Sequence, residues 1–268
     1  MRVGVRQEAL PRGLWLASLP LALYIGGPLV ALLVVVAPAE LGSHLASPMA
    51  LRALWLTLKT TLAATALVVV LGTPLAYLLA RGSFRGRELL DTLVDLPITI
   101  PPVVAGVALL VAFGRRGLIG QKLDLFGIQV GFTSVAVVMA QVLIASPFFV
   151  KAARAGFEAV DLRLEAAART LGAGRWRVFW TITVPLCRPA LLSGVVLAWA
   201  RALSEFGATM MFAGNFPGRT QTLTLAVMTA LESDLETAVA VSVLSLGLAL
   251  VALLGAKWLA GRWRVPLA

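Results

Sequence analysis

Long, uninterrupted apolar runs constrain this chain more than any other feature. A run of 18 or more residues with few charges is long enough to cross the ~30 Å hydrocarbon core of a membrane as a helix. Such runs lie at about Leu14–Ala37, Leu51–Ala80, Phe132–Val150, Ala190–Ala213 and Thr237–Leu259. Each is too long for the ~10-residue strands of a transmembrane barrel, and lipid offers the backbone no hydrogen-bond partners. The sequence therefore predicts an all-α membrane protein that folds as a helical bundle.

A sixth span is predicted in the segment 88–113, whose pattern is less regular. Two aspartates interrupt its first half, and Pro97, Pro101 and Pro102 follow in the middle. Prolines this close together break a helix, and a broken helix inside a membrane needs protein or water to satisfy its backbone. The alternative is that the prolines simply start a helix at the membrane interface. Both interpretations are open at this point, and both give six spans.

Positive charge is abundant but divided among the segments that join the apolar runs. The chain carries 23 Lys and Arg against 13 Asp and Glu. Because these side chains form no stripe along one face, the charge does not indicate a nucleic-acid partner. With six spans, sixteen Lys and Arg fall on the side of both termini and at most six on the other. The positive-inside rule predicts a multi-pass protein of the bacterial cytoplasmic membrane with both termini in the cytoplasm. Arg115 and Arg116 run against this trend.

The residues that usually carry metal or nucleotide chemistry are scarce. Cys187 is the single cysteine and His44 the single histidine, so neither an internal disulfide nor a metal cluster is expected. The chain also lacks the G-x-x-x-x-G-K-[ST] loop that cradles nucleotide phosphates. We therefore expect no cofactor on this chain, and we expect any ATP to be bound by a partner.

The segment Val160–Pro189, here called the platform, combines dense charge with helix-forming residues. We predict a helix over Leu162–Leu171 that stops at Gly172, because glycine past a helix end can adopt the left-handed conformation. A second amphipathic piece, Trp176–Val184, is predicted to end at Pro185. Two such helices between membrane spans form a docking surface for a soluble partner. The alternative is an ordinary basic loop.

The platform resembles the EAA loop of ABC importer permeases. The resemblance rests on the triplet Glu165-Ala166-Ala167, then Gly172, and then an I-x-L-P pattern that starts ten residues beyond it, as Ile182-Thr183-Val184-Pro185 with Val184 in place of the usual Leu. The commonest form of the pattern places its glutamate where Ala166 stands, and one residue on a helix is a rotation of roughly 100°. Arg163, Arg169 and Arg175 are then expected at the rim of the contact. The residues that the resemblance assigns to ATPase coupling are Glu165, Ala166, Ala167, Arg169, Gly172, Ile182 and Pro185.

The spans are numbered in chain order, with the segment 88–113 as span three. Span five, Ala190–Ala213, carries two charges near the middle of the membrane. Arg201 and Glu205 are four residues apart and therefore share one helical face. A charge at this depth costs at least ~2.5 kcal/mol unless it is paired or faces water. In one interpretation the two residues pair and hold the helix. In the other, together with Ser204, Thr209 and Asn215, they line a path for a hydrated anion.

Two longer stretches, Ile100–Gly120 and Ser204–Val227, resemble the membrane subunit of molybdate importers. This resemblance implies a six-helix bundle of the ABC importer type-1 permease class that works by alternating access. The implied assembly has a second copy of the permease, two cytoplasmic ATP-binding subunits and an extracytoplasmic molybdate-binding protein. The implied substrates are molybdate and possibly tungstate. The binding protein is expected at the outer loops 43–49, 114–131 and 215–236.

The sequence leaves other functions to be distinguished. A permease for sulfate or thiosulfate has a comparable E-F-G stretch, a passive anion channel would need no ATPase, and a membrane-embedded enzyme would need acids such as Asp91, Asp95 and Glu205 to converge. We expect a transport subunit that is not itself an enzyme. Residues 1–50 are assigned to an N-terminal cytoplasmic segment, the first helix and an outer loop, 51–259 to the transmembrane domain, and 260–268 to a cytoplasmic tail.

Overall fold

The computed structural model describes residues 12–35 and 38–262, with side chains for 16–35 and 42–255. The predicted N-terminal segment before residue 12 and the end of the tail lie outside these residues. The described part is helical throughout and contains no strand. Its α-helices are, in chain order, α1 Arg12–Val34, α2 Pro38–Leu45, α3 Pro48–Arg81, α4 Arg87–Thr99, α5 Pro102–Phe113, α6 Gly120–Asp124, α7 Ser134–Ala159, α8 Leu162–Thr170, α9 Arg175–Val178, α10 Val184–Leu203, α11 Gly207–Ala213, α12 Leu223–Leu231 and α13 Leu235–Arg262.

Five described helical stretches are long and apolar enough to cross a membrane. They are Leu16–Val34, Pro48–Arg81, Ser134–Ala159, Arg175–Leu203 and Leu235–Gly255. The pair α4 and α5 adds a sixth span if its two halves cross together. The prediction of an all-α membrane bundle is confirmed.

The prolines of the segment 88–113 break its helix sharply. The axes of α4 and α5 are bent by 118° at residues 100 and 101. The backbone amide of Ile100 still donates to Leu96, but Pro101 and Pro102 have no amide hydrogen with which to continue. The new helix α5 starts with the amide of Val104 donating to the carbonyl of Pro101 at 2.9 Å. The structure therefore shows both a break and a second helix that starts at Pro102, and the two interpretations differ only in whether this break lies inside the membrane or at its surface.

The core is built around α7, which packs against both α3 and α10. Phe149 and Phe157 of α7 are fully buried there. Small residues let the helices come close: a Cβ at Gly156 would lie 2.5 Å from the Cβ of Ala190 on α10. Likewise a Cβ at Gly106 of α5 would lie 2.7 Å from the Ala208 carbonyl oxygen of α11. Close approach through small residues is typical of helices packed in membranes.

The boundaries of span five differ from those predicted. The helix α10 ends at Leu203, and α11 begins only at Gly207, so the predicted span 190–213 is interrupted. At its other end the predicted stop at Pro185 is wrong. A π-helical turn, Phe179–Thr183, joins α9 to α10, and Pro185 lies in the first turn of α10. The backbone bonds of this turn span five residues, and the amide of Val184 donates to Phe179. The chain therefore stays helical past Pro185, although Pro185 has no amide hydrogen to donate.

The outer loops are more ordered than the sequence indicated. The helix α2 occupies most of a region that was predicted to be a polar loop. Asp234 caps α13 by accepting bonds from the backbone amides of Glu236 and Thr237 at 3.1 and 3.0 Å. The pKa of Asp234 lies below its ordinary value, chiefly because the Thr237 hydroxyl also donates to this carboxylate.

Candidate functional site: the platform and the charged pair of span five

The first helix of the platform has a well-defined start and end. Asp161 caps its N-terminus by accepting a bond from the amide of Arg163 at 2.9 Å. Gly172 follows its last turn at φ +88°. The amide of Gly172 donates to Arg169, and that of Ala173 donates to Ala168, both at 3.0 Å. These two bonds form a Schellman motif, which satisfies carbonyls at the helix end and requires a left-handed residue. The predicted stop at Gly172 is confirmed.

One face of this helix is open and carries small side chains. Ala166, Ala167 and Arg169 are all exposed, and Leu171 at the end of the helix is 89% exposed. No atom lies within 4 Å of a Cβ built on Gly172. An exposed apolar residue beside small neighbours permits another protein to approach the backbone closely. The outward face of α8, from Ala166 to Gly172, is therefore a candidate docking surface.

Glu165 points the other way, into the protein. Its side chain is buried and accepts bonds from the guanidinium of Arg81 at 3.3 Å and from the hydroxyl of Thr183 at 3.0 Å. Arg81 also donates to the Val160 carbonyl at 2.8 Å. These contacts tie α8 to the end of span two and to the π-helical turn. The carboxylate of Glu165 is thus an internal brace of the platform in this structure, and its side chain is not on the outward face.

An aromatic cluster reinforces this brace. Tyr77 of α3 meets Phe157 of α7 at 5.3 Å and Phe179 of the π-helical turn at 5.0 Å, both edge to face. Phe157 and Phe179 are in turn 6.1 Å apart. Such pairs add roughly 0.5–1.5 kcal/mol each beyond the area they bury. The platform is therefore held against the bundle by packing as well as by charge.

The second half of the platform is continuous with span five. From Arg175 to Leu203 the chain is helical without interruption, through α9, the π-helical turn and α10. Ile182 lies half-buried in the π-helical turn, while Pro185 is exposed in the next turn. No loop therefore separates the second half of the platform from α10, whereas the turn 171–174 lies between it and α8.

The charged residues of span five pair with each other. Arg201 and Glu205 form an ion pair at 3.0 Å, and the Glu205 side chain is only 1% exposed. The other carboxylate oxygen of Glu205 accepts the amide of Ala208 at 2.8 Å and so caps α11. Arg201 also donates to the hydroxyl of Ser204 at 3.3 Å. The pair therefore links the end of α10 to the start of α11. This favours the interpretation in which Arg201 and Glu205 pair with each other and hold the helix.

The remaining predicted pathway residues lie elsewhere. Thr209 is buried in α11, and its hydroxyl has no hydrogen-bond partner among the described residues. Asn215 donates to the hydroxyl of Thr229 at 2.8 Å, in the turn before α12. The structure thus brings Arg201, Ser204 and Glu205 together and separates them from Asn215.

A double-mutant cycle separates the two interpretations of this pair. We expect Arg201→Ala to lower substrate uptake severely, because it leaves a buried carboxylate unpaired, a loss of ~3–5 kcal/mol. Adding Glu205→Gln should restore a large part of the uptake, because the uncharged amide needs no counter-ion and can still accept the bond from Ala208. Uptake into vesicles, with protein amount measured in parallel, tests this. If uptake by the double variant is no higher than uptake by Arg201→Ala alone, Arg201 has a direct role in the pathway.

Sequence reasoning missed several residues that build the site. Arg81 counted only as a positive charge after span two, and Thr183 was only a variable position between Ile182 and Pro185 of the EAA pattern. Thr57 of α3 accepts the amide of Leu223 at 2.8 Å and so fixes the start of α12. The indole N–H of Trp199 on α10 donates to the hydroxyl of Thr61 on α3 at 3.1 Å. No local pattern marks these contacts, although closely spaced threonines in an apolar run indicate a face that packs against protein.

Comparison with known proteins identifies the family. A family model described as the binding-protein-dependent transport system inner membrane component matches residues 72–265, which include the platform and span five. The chain belongs to this family. It is 45% identical over 212 residues to the molybdenum transport system permease protein ModB of Escherichia coli K12, which covers 78% of this chain and 93% of that protein. It is 41% identical over 246 residues to ModB of Mycobacterium tuberculosis, which covers 92% of this chain and 93% of that protein.

The fold of this permease agrees with that of solved transporters. The membrane chain of a bacterial ABC transporter involved in the import of the acidic polysaccharide alginate superimposes with a TM-score of 0.75. The superposition covers 94% of this chain and 96% of that chain, at 17% identity. The permease is therefore a multi-pass transport component of the inner membrane with the fold of ABC importer permeases.

Proposed function

We propose that this permease carries the oxyanions molybdate and tungstate across the cytoplasmic membrane into the cell. The observation that carries this proposal is the identity of 41–45% to molybdenum permeases along most of the chain. The other residues predicted to line the pathway beside the Arg201–Glu205 pair, namely Ser204, Thr209 and Asn215, are neutral polar groups. Weak hydroxyl contacts suit a conduit, because a site that binds an anion tightly would not release it.

The power for this transport comes from a separate ATP-binding subunit that docks on the platform. Two features support this proposal. The chain has no phosphate-binding loop of its own, and the outward face of α8 is open and rich in small residues. Closure of two such subunits would push on α8, and the brace through Glu165 would carry that motion to α3 and α10. Two copies of the permease would then alternate between inward-open and outward-open states.

The orientation follows from charge. Sixteen Lys and Arg lie on the side of the platform and the termini, against six on the other, so this side faces the cytoplasm. The opposite face presents α2, the loop 114–131 and the turn before α12. An extracytoplasmic substrate-binding protein docks there and delivers the oxyanion to the pathway between the two copies.

Labelled molybdate uptake with competing anions tests the proposed substrate. Membrane vesicles that contain the permease with its ATP-binding subunits and binding protein should accumulate molybdate only when ATP is supplied. We expect excess tungstate to abolish molybdate uptake and excess sulfate to leave most of it. The reason is that the proposed substrates of the permease and its binding protein are molybdate and tungstate, which are larger than sulfate. Effective competition by sulfate would favour a sulfate permease. Accumulation without ATP, down the concentration gradient, would favour a channel.

A further inference from the structure

A groove of about 1110 Å³ lies between α3 and the inner side of the platform. It is separate from the Arg201–Glu205 pair, and it shares Arg169 with the exposed residues of α8. Its long wall is apolar and belongs to the last turns of α3. Val70 and Leu78 lie on that wall. The platform contributes Arg169, Arg175, Trp176 and Trp180, which line the mouth of the groove.

The depth of this groove matches one leaflet of a membrane. Its α3 wall runs from Val69 to Arg81. Twelve residues of helix rise ~18 Å, and half of a hydrocarbon core is ~15 Å. Val70 and Leu78 are 67% and 45% exposed on this wall. The apolar surface therefore extends from the platform to about the middle of the membrane.

The mouth of the groove is positively charged. Three arginines and one glutamate line it. Arg81 is neutralised by Glu165 at 3.3 Å, whereas Arg169 and Arg175 form no ion pair with a described residue and are exposed. Two arginines beside a cleft at the membrane surface recognise a phosphate group.

Two tryptophans flank these arginines. Trp176 is 76% and Trp180 61% exposed. Tryptophan favours the level of the lipid headgroups, where its ring meets acyl chains and its N–H meets water. The groove thus combines an apolar wall as long as one leaflet, two exposed tryptophans and two arginines without an ion-pair partner among the described residues. These are the features that suit an acyl chain, the membrane interface and an anionic headgroup.

We propose that this groove binds an anionic phospholipid from the leaflet on the platform side. One acyl chain lies along α3, and the phosphate lies between Arg169 and Arg175. A bound lipid would fill the space behind α8 and support the platform from the membrane side.

Native mass spectrometry of the full-length protein tests the proposal. The protein is reconstituted in nanodiscs that contain phosphatidylcholine and phosphatidylglycerol, and the lipid that remains bound after release is counted. We expect phosphatidylglycerol to be retained over phosphatidylcholine. The variant Arg169→Gln/Arg175→Gln should weaken retention at least about tenfold, since each arginine near an anionic surface contributes several-fold. The matched control Arg163→Gln/Arg177→Gln removes the same charge from the same two helices outside the groove and should change retention less than about twofold.

Two further measurements locate the lipid without relying on those variants. Phosphatidylglycerol with brominated acyl chains should quench tryptophan fluorescence, and Trp176→Phe/Trp180→Phe should remove most of the saturable part. A photo-crosslinking residue at Val70 should label lipid. Equal retention by the two arginine double variants, equal retention of the two lipids, or equal displacement by glycerol phosphate alone would overturn the proposal. A crosslink from position 70 to a second copy would overturn it too, since the groove would then hold protein.

Discussion

Replacement of Gly172 by aspartate is expected to abolish the stimulation of ATP hydrolysis by the transported oxyanion, while the protein still inserts in the membrane. Gly172 lies at φ +88° and closes the Schellman motif at the end of α8. A side chain in this conformation costs ~1–2 kcal/mol, which corresponds to about a tenfold loss of the docking-competent form. The new carboxylate also extends into the open space that we assign to the ATP-binding subunit. Hydrolysis by the assembled transporter, with and without substrate, is the measurement.

Gly174 provides the matched control. It lies two residues further on at φ −66°, and like Gly172 it has no atom within 4 Å of a built Cβ. Gly174→Asp therefore adds the same charge without left-handed strain, and it should retain most of the stimulation. Gly172→Asn, which tolerates the left-handed conformation better, should fall between the two. Normal stimulation in Gly172→Asp would exclude this helix end as the coupling contact.

Removal of Glu165 is expected to destabilise the protein more than the loss of any exposed ion pair. Its carboxylate is buried against Arg81 and Thr183. Glu165→Ala leaves the Arg81 guanidinium, whose side chain is only 16% exposed, without its counter-ion. Loss of one partner of a buried pair costs ~3–5 kcal/mol. The free energy of unfolding in detergent should fall by about this amount, and coupled hydrolysis should fall with it.

The control for Glu165 is an exposed pair in an outer loop. Arg115 and Asp124 pair at 3.3 Å with side chains 72% and 32% exposed. Asp124→Ala should cost only ~0–1 kcal/mol, as is usual at a surface. In the double variant Glu165→Ala/Arg81→Ala the loss should be smaller than in Glu165→Ala alone, because no unpaired charge remains. If Glu165→Ala and Asp124→Ala lower the free energy of unfolding by the same amount, the contacts of Glu165 with Arg81 and Thr183 contribute no special stability.

Features of the platform that depend on local chemistry could be predicted from the sequence. The end of α8 follows from Gly172, because only the backbone of the last turn and the glycine are involved. The direction of Glu165 could not be predicted in this way. Its partner Arg81 is 84 residues away, and on a helix a shift of one residue turns a side chain by roughly 100°. The inward position of Glu165 follows from how α3 and α8 pack, which no local pattern records.

Span five shows the same limit in the membrane interior. Its residues are apolar enough to be helical throughout, so composition does not reveal the break after Leu203. The break exists because the carboxylate of Glu205 caps a new helix at Ala208. The stop predicted at Pro185 was wrong for a related reason. A π-helical turn directly before Pro185 changes the backbone bonding, so the helix continues past the proline.

Site-directed crosslinking tests the central claim that the permease is powered through its platform. Cys187 is the only cysteine and is buried, so a new surface cysteine is readily distinguished. Leu171 after α8 and Leu125 in the loop after α6 are 89% and 84% exposed, which makes them a matched pair on the two sides that the proposed orientation gives. When the complex is purified from its native host, Leu171→Cys should crosslink to an ATP-hydrolysing subunit and Leu125→Cys should not. A crosslink from Leu125→Cys alone, or a purified permease with no such subunit, would contradict the account.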